Sequence, residues 1–262
     1  MTALVGLDLA WSGRKPSGYC VLRVDAAGQV RLEAVGDTTM PPRAALKWLD
    51  SLGPDIVAAI DAPLIVGDGR RAEAEMARAY RGTGLYAYSA RSEFLTRHGI
   101  TAGPELGTLL HGGGWRLDPE CLRAGSTGRW ALEVFPHAVA VSLLGSGSIL
   151  RYKKGVRAGR LAAFATYQGL LGACARSTLG VPCAERLEEL LSADASLLRG
   201  MALKAHEDRL DAVACALAAW VAYEAGAEGL RVFGDAREGY IAVPVPRGGP
   251  RALAARPDTM TA

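Results

Sequence analysis

Acidic side chains stand at positions where an α/β fold could bring them together. Asp8 lies in the apolar run VGLDLAW, Asp61 directly follows the apolar run DIVAAI, and Glu133 lies in LEVFP. The stretch HEDRLDAVACALAAW adds Asp208 and Asp211, which are three residues apart and therefore lie on neighbouring parts of one helix face. Clustered carboxylates repel one another unless a divalent cation neutralises them. The set therefore predicts a metal-dependent catalytic site.

Asp8 is the least expected of these acids, because apolar residues surround it. Side chains alternate along a strand, so Leu7 and Leu9 share one face while Asp8 shares the other with Gly6 and Ala10. Small neighbours leave room for the partner or metal that a carboxylate away from water needs. The alternative is a structural aspartate that hydrogen-bonds to the following turn, and the other acids have similar alternatives in capping a turn or favouring a helix N-terminus.

Basic residues that could hold a phosphate are concentrated in the stretch RYKKGVRAGR. The candidates there and just after the fourth predicted strand are Arg71, Arg151, Lys153, Lys154 and Arg157. The ring of Tyr152 could stack on a base. The alternative is that these charges only solvate helix faces.

The elements that must position these residues follow a definite order. Apolar alternation and continuous apolar runs predict strands over 2–9, 19–25, 30–36, 55–60 and 129–135, followed later by two short strands in LRVFG and GYIAVPV. Helices are predicted after Pro41 and Pro136 and over 70–81, 157–176, 184–191 and 206–225. Short connections make the first three strands antiparallel, and the run at 55–60 is typical of a buried parallel strand. We expect an α/β fold with a mixed five-stranded sheet flanked by helices.

The chain length of 262 residues allows a substantial core. We predict a single domain over 1–245 and a flexible tail over 246–262. Residues 82–129 are rich in glycine and lack regular periodicity, which predicts an insertion or lid that borders the acidic site.

Composition limits the class of protein. The formal charge of +3 gives no global basic field, so a contact with nucleic acid would have to be a local patch. Five cysteines without a C-x-x-C pair, the absence of a signal-like N-terminus and the shortness of the longest apolar run predict a cytoplasmic protein without membrane contact. The oligomeric state stays open, with a homodimer as one option.

Five motifs in order, GLDLAWSG, AIDAPL, LEVFP, RYKKG and HEDRLDAVACALAA, resemble a bacterial family of predicted ribonuclease H-like nucleases, domain of unknown function 429. The resemblance runs from residue 4 to about 243. It implies the ribonuclease H-like fold and hydrolysis of phosphodiester bonds, in DNA or RNA, by a two-metal mechanism with Mg²⁺ or Mn²⁺. By the same resemblance, Asp8 would bridge the metals, Asp61 and Asp211 would each hold one, and Asp208 or Glu133 would complete the set.

Other functions fit the sequence less well. LLHGGGW and AGSTG imitate parts of an esterase, but Ala124 replaces the first glycine of the nucleophile elbow. A phosphotransferase of the actin or sugar-kinase type normally has two such domains and a glycine-rich turn after the first aspartate. A non-catalytic scaffold that binds nucleic acid or protein has no reason to keep several metal-poised acids. The sequence therefore favours a metal-dependent nuclease, with the phosphotransferase and the scaffold as alternatives.

Overall fold

The structure is a computed structural model that describes residues 1–179 and 185–246. Cys183 and all but the first residue of the predicted tail lie outside the described residues. The strands are β1 (Thr2–Asp8), β2 (Pro16–Val24), β3 (Val30–Thr39), β4 (Ile56–Ile60), β5 (Arg129–Glu133), β6 (Leu230–Asp235) and β7 (Gly239–Pro244). The α-helices are α1 (Pro42–Ser51), α2 (Ala72–Ala79), α3 (Ser92–Arg97), α4 (Ala102–Gly112), α5 (Pro136–Ser142), α6 (Arg157–Leu179), α7 (Glu185–Ser192) and α8 (Gly200–Ala225).

The main sheet has five strands in the order β3-β2-β1-β4-β5. The first three strands are antiparallel, whereas β4 runs parallel to β1 and β5 runs parallel to β4. This confirms the predicted mixed five-stranded α/β sheet, and the strand order fits the ribonuclease H-like fold that the resemblance implies. Strands β6 and β7 form a separate antiparallel pair.

Helix α8 lies directly on one face of the main sheet, against β1, β2 and β4. Two glycines make this approach possible. A Cβ atom at Gly6 of β1 would lie 1.9 Å from the carbonyl oxygen of Ala212, and one at Gly18 of β2 would lie 2.0 Å from that of Asp208. No side chain fits at either glycine, so the helix backbone itself occupies the space that the small residues leave.

The opposite face of the sheet is covered by α1 and α4, with Leu106 and Leu110 of α4 fully buried. Helix α4 lies within 82–129, for which the sequence predicted no regular structure. Its glycines explain the difference: a Cβ at Gly103 or Gly107 would collide with the backbone of Pro63 or Leu64. These glycines therefore serve close packing of a helix rather than an irregular loop.

Helix α8 is also long and apolar. Among the described residues, the helical stretch Gly200–Gly229 alone has the length and composition of a membrane span, and 78% of its apolar part is buried inside the protein. Such burial is typical of the core helix of a globular domain.

The glycine contact between β1 and α8 can be tested by adding one methyl group. We expect Gly6→Ala to lower the free energy of unfolding by about 3 kcal/mol, because the new Cβ must push α8 off the sheet. The matched control is Gly159→Ala in α6, where a Cβ meets open space and where alanine should stabilise the helix by about 0.5–1 kcal/mol. Urea unfolding in EDTA measures both. A Gly6→Ala protein as stable as wild type would contradict the described packing of α8.

Candidate active site

Two carboxylates stand side by side at the carboxyl edge of the sheet. Asp8 is the last residue of β1, and Asp61 directly follows β4. The strands are in register there, since Leu7 pairs with Ile60 and the Asp61 amide donates a hydrogen bond of 2.8 Å to the Leu7 carbonyl. Adjacent strands are about 4.8 Å apart, so the two side chains are neighbours. In open α/β sheets, ligands bind at this edge.

Helix α8 brings Asp208 and Asp211 to the same edge, but in different surroundings. Asp208 lines the cavity described below together with Asp8 and Asp61, and it forms an ion pair with Lys204 of the preceding turn. Asp211 is fully buried. Position 208 therefore faces the cavity, while position 211 lies in the core behind it.

Asp211 is held by three donors. The hydroxyl groups of Tyr152 and Tyr167 donate to its Oδ1 at 2.6 and 3.1 Å, and the ammonium of Lys153 lies 2.7 Å from its Oδ2. Burial alone would raise the pKa of Asp211, but the charge of Lys153 and these hydrogen bonds hold it below its ordinary value. Oδ1 thus accepts two hydrogen bonds, whereas Oδ2 has only the ion pair with Lys153 and no hydrogen bond, so a metal at Asp211 would have to displace the Lys153 ammonium.

Lys153 is the resident cation of this cluster. Burial would lower the pKa of Lys153, but the charges of Asp211, Asp8 and Asp61 raise it well above its ordinary value. The sequence predicted a phosphate contact for Lys153 and base stacking for Tyr152. The second prediction is wrong, because Tyr152 is 0% exposed and stacks on Tyr167 instead. Lys153 still lines the cavity, but its ammonium forms an ion pair with Asp211.

Asp8 has no structural partner of the kind that a turn would provide. Its Oδ2 atom is buried, and no group in the described chain donates a hydrogen bond to it. Burial raises the pKa of Asp8 well above its ordinary value, and the nearby charges of Asp211, Asp61 and Asp208 add to the shift while Lys153 opposes it. Burial likewise raises the pKa of Asp61 to about 7. A buried carboxylate oxygen without a partner indicates a missing cation or proton.

Glu133 does not belong to this cluster. It pairs with Ile60 in the parallel register, so its side chain lies on the face of the sheet opposite Asp8 and Asp61. Arg70 binds both of its carboxylate oxygens, and the Leu64 amide donates to Oε2 at 3.0 Å. Glu133 thus anchors Arg70, and although it lines the cavity described below, both of its oxygens are already bound.

A cavity of about 790 Å³, here called the acidic cavity, opens above Asp8, Asp61 and Asp208. Its cations are Lys15, Arg151, Lys153, Lys154 and Lys204, and its aromatic residues include Trp11, Tyr86, Tyr88 and Phe135. Residues from Gly84 to Ile100 form part of its wall, so this portion of 82–129 borders the acids, whereas α4 does not line the cavity. Lys154 and Arg151 thus lie where a bound phosphate could reach them.

Two predicted phosphate contacts lie elsewhere. Arg157 is exposed, does not line the acidic cavity, and donates a hydrogen bond of 2.9 Å to the Ser196 carbonyl. Arg71 lies outside the acidic cavity and forms an ion pair of 3.3 Å with Glu75. A phosphate bound in the acidic cavity would therefore not contact Arg157 or Arg71 as they stand.

His137 is a functional candidate that the sequence did not single out. It lines the acidic cavity, and its buried Nδ1 has no hydrogen-bond partner in the described chain. Burial and the charge of Lys153 lower the pKa of His137 to about 4, so the ring is neutral near pH 7. The only signal in the sequence is its place directly after the β5 strand and Pro136, at the edge where ligands bind.

The donor set suits one hard cation. Within residues 1–179 and 185–246, no three side chains of His, Cys, Asp or Glu are grouped to hold a metal ion by themselves. Mg²⁺, however, usually takes one or two carboxylates and completes its shell with water and substrate phosphate. The unpartnered Asp8 Oδ2 beside Asp61 fits that pattern.

The role of Lys153 as resident cation predicts a large effect of its removal. Lys153→Met should lower the free energy of unfolding by about 3–5 kcal/mol in EDTA, because it leaves buried carboxylates uncompensated. The matched control is Lys154→Met, an adjacent exposed lysine that should cost no more than about 1 kcal/mol. Equal effects of the two variants would contradict this role.

The same variant has a defined pH dependence. When folding raises the pKa of a carboxyl group, the free energy of unfolding falls as the pH rises through the folded pKa. For Asp61 that pKa is about 7. Thermal melts should therefore show a larger loss for Lys153→Met at pH 8 than at pH 5.5, where Asp61 carries a proton and needs no cation.

Comparison with known proteins identifies the family. Residues 6–238 match the family described as "Protein of unknown function (DUF429)". The Thermus thermophilus RuvC structure is similar at 12% identity and a TM-score of 0.35, covering 86% of this chain and 99% of that one. No protein with a curated description matches. Since the family match covers most of the sequence, the chain belongs to the DUF429 family.

Proposed function

We propose that the protein is a divalent-metal-dependent phosphodiesterase that acts on nucleic acid at the acidic cavity. The observation that carries this proposal is the buried, unpartnered Oδ2 of Asp8 beside Asp61. Both carboxylates line a concave site together with several cations. A purely structural carboxylate would have its hydrogen bonds satisfied. A carboxylate oxygen without a partner, in a cavity whose wall carries several cations, suits a site that a metal ion and a phosphate complete.

Asp8 and Asp61 would hold the ion, with Asp208 within the same cavity wall. Mg²⁺ or Mn²⁺ bound there would activate an attacking water and neutralise charge that develops on the phosphate. The resemblance implied two ions, but the second would need Asp211, whose two oxygens already bind Lys153 and two tyrosines. We therefore propose one ion, with the ammonium of Lys153 supplying the second positive charge.

The other residues of the cavity have separate roles in this proposal. Lys154 and Arg151 stand on the cavity wall and are exposed, so they are placed to contact non-bridging phosphate oxygens. His137 is neutral near pH 7 and lines the cavity wall, so it adds no positive charge to the site. Asp211 acts through Lys153 and positions its ammonium rather than touching the substrate.

Asp8→Asn is the direct test, because the amide keeps the shape of the side chain and loses its charge. We expect phosphodiester cleavage to fall by at least about a hundredfold and the rise in melting temperature on adding Mn²⁺ to disappear. The apoprotein should be about as stable as wild type, because burial and the neighbouring acids already disfavour the charged form of Asp8 and the amide is neutral as well. The assay follows labelled DNA and RNA in Mn²⁺, beside melting curves in EDTA.

Asp68→Asn, which changes an exposed carboxylate outside the acidic cavity, is the matched control. A large loss of apo stability in Asp8→Asn, together with no wild-type cleavage of any substrate, would overturn the proposal. Stabilisation of wild type by ATP with Mg²⁺, without stabilisation by Mn²⁺ alone, would favour the phosphotransferase alternative instead.

A further inference from the structure

We propose that a second cleft beside the acidic cavity binds the backbone of a single nucleic acid strand and leads that strand to the acids. The arginine cleft, named for Arg71, Arg91 and Arg97, has a volume of about 480 Å³. This inference rests on the proposed function, because a strand has a reason to reach the acids only if they cleave it. Binding of the strand itself needs no metal.

The two cavities are continuous. Glu73, Tyr86 and Ala87 line both of them, so one wall runs from the arginine cleft into the acidic cavity. The cleft lies between α2 and the segment that contains α3, which is the part of 82–129 that reaches the acids. A ligand too long for the acidic cavity would continue along this wall into the cleft.

The free charge in the cleft is positive. Arg70 and Glu73 also line it, but they bind each other, and Arg70 binds Glu133 as well. Arg71 is 67% exposed and forms ion pairs with Glu75 at 3.3 Å and Asp235 at 3.9 Å, so the unpaired positive charge is that of the other two arginines.

Arg91 and Arg97 are exposed, and no described residue forms an ion pair with either of them. Two carboxylates of the described chain line the cleft: Glu73, which binds Arg70, and Glu93, which does not. Arginines without protein partners in a concave site are suited to phosphate.

Exposed aromatic rings are concentrated at the same place. Three aromatic side chains are more than a third exposed in the described chain, namely Trp11, Tyr86 and Tyr88, and all of them line the acidic cavity. Tyr88 stacks on Phe94 with a centroid distance of 6.2 Å, and Tyr86 packs edge-on against Tyr88 at 6.0 Å. Phe94 and the Lys154 ammonium, 5.0 Å from the ring centroid, already contact the Tyr88 ring, so Tyr86 is the ring best placed to stack on an unpaired base.

Exposed arginines beside an exposed ring favour an unpaired nucleic acid strand over a duplex or a mononucleotide. The bases of a duplex are stacked on each other and cannot stack on Tyr86. A mononucleotide would fit within the acidic cavity alone and would leave the arginines without a ligand. An unpaired strand uses both features, since its phosphates meet the arginines while its bases meet the rings.

The test measures binding without cleavage. Labelled 12-residue oligothymidine and oligouridine are titrated in EDTA by fluorescence anisotropy at several salt concentrations. We expect the double variant Arg91→Gln/Arg97→Gln to weaken binding at least about tenfold and to reduce the salt slope by about 1.4, since each phosphate contact to a single strand contributes about 0.7. Tyr86→Ala should weaken binding and leave the salt slope unchanged.

The matched control is the double variant Arg43→Gln/Arg186→Gln, which removes two exposed arginines that line neither cavity. Equal affinity of the two double variants, binding of neither oligomer by wild type, or tighter binding of a duplex would overturn the inference. The proposed function fails separately: arginine-dependent binding without any Mn²⁺-dependent cleavage sinks that function alone, whereas cleavage by wild type with unchanged binding in Arg91→Gln/Arg97→Gln sinks the inference alone.

Discussion

The site depends on compensation of buried negative charge at one edge of the sheet. Asp8, Asp61 and Asp211 converge where two strands and a helix meet, and burial makes each charge costly. Lys153 offsets part of that cost through its contact with Asp211. The remaining imbalance is located at Asp8, whose Oδ2 has no partner in the described chain. In the proposed function, one further cation on the cavity side would offset this imbalance.

Close packing makes this convergence possible. Helix α8 reaches β1 and β2 only because glycines at positions 6 and 18 allow its backbone to touch the strands. A helix held farther away would leave Asp208 and Asp211 too distant from the strand carboxylates to interact with them electrostatically. The glycine next to Asp8 in the alternating pattern thus has a specific purpose: it admits the helix that carries the remaining acids.

The positions and directions of the main-sheet strands, and the carboxylates at their ends, could be predicted from sequence, because apolar runs, short hairpin connections and strand-end acids are local signals. The errors concern contacts between distant segments. The sequence groups Glu133 with Asp8 and Asp61, but its pairing with Ile60 places it on the opposite face of the sheet. That register is not visible in the sequence. In the sequence alone, Tyr152 resembles a surface residue and Asp211 a residue at the margin of the apolar stripe. The structure brings them together, because the loop before α6 packs against α8. Helix α4 was missed because its packing glycines look like loop glycines.

The most direct test is anomalous diffraction at the manganese edge from crystals soaked in Mn²⁺ at pH 8, where Asp61 is ionised. A one-ion site predicts one anomalous peak within coordination distance of Asp8 and Asp61, with Lys153 still paired to Asp211. Two peaks with Asp211 bound to metal would replace the one-ion site by a two-ion site. No peak at Asp8 in crystals that bind Mn²⁺ elsewhere would contradict the account as a whole.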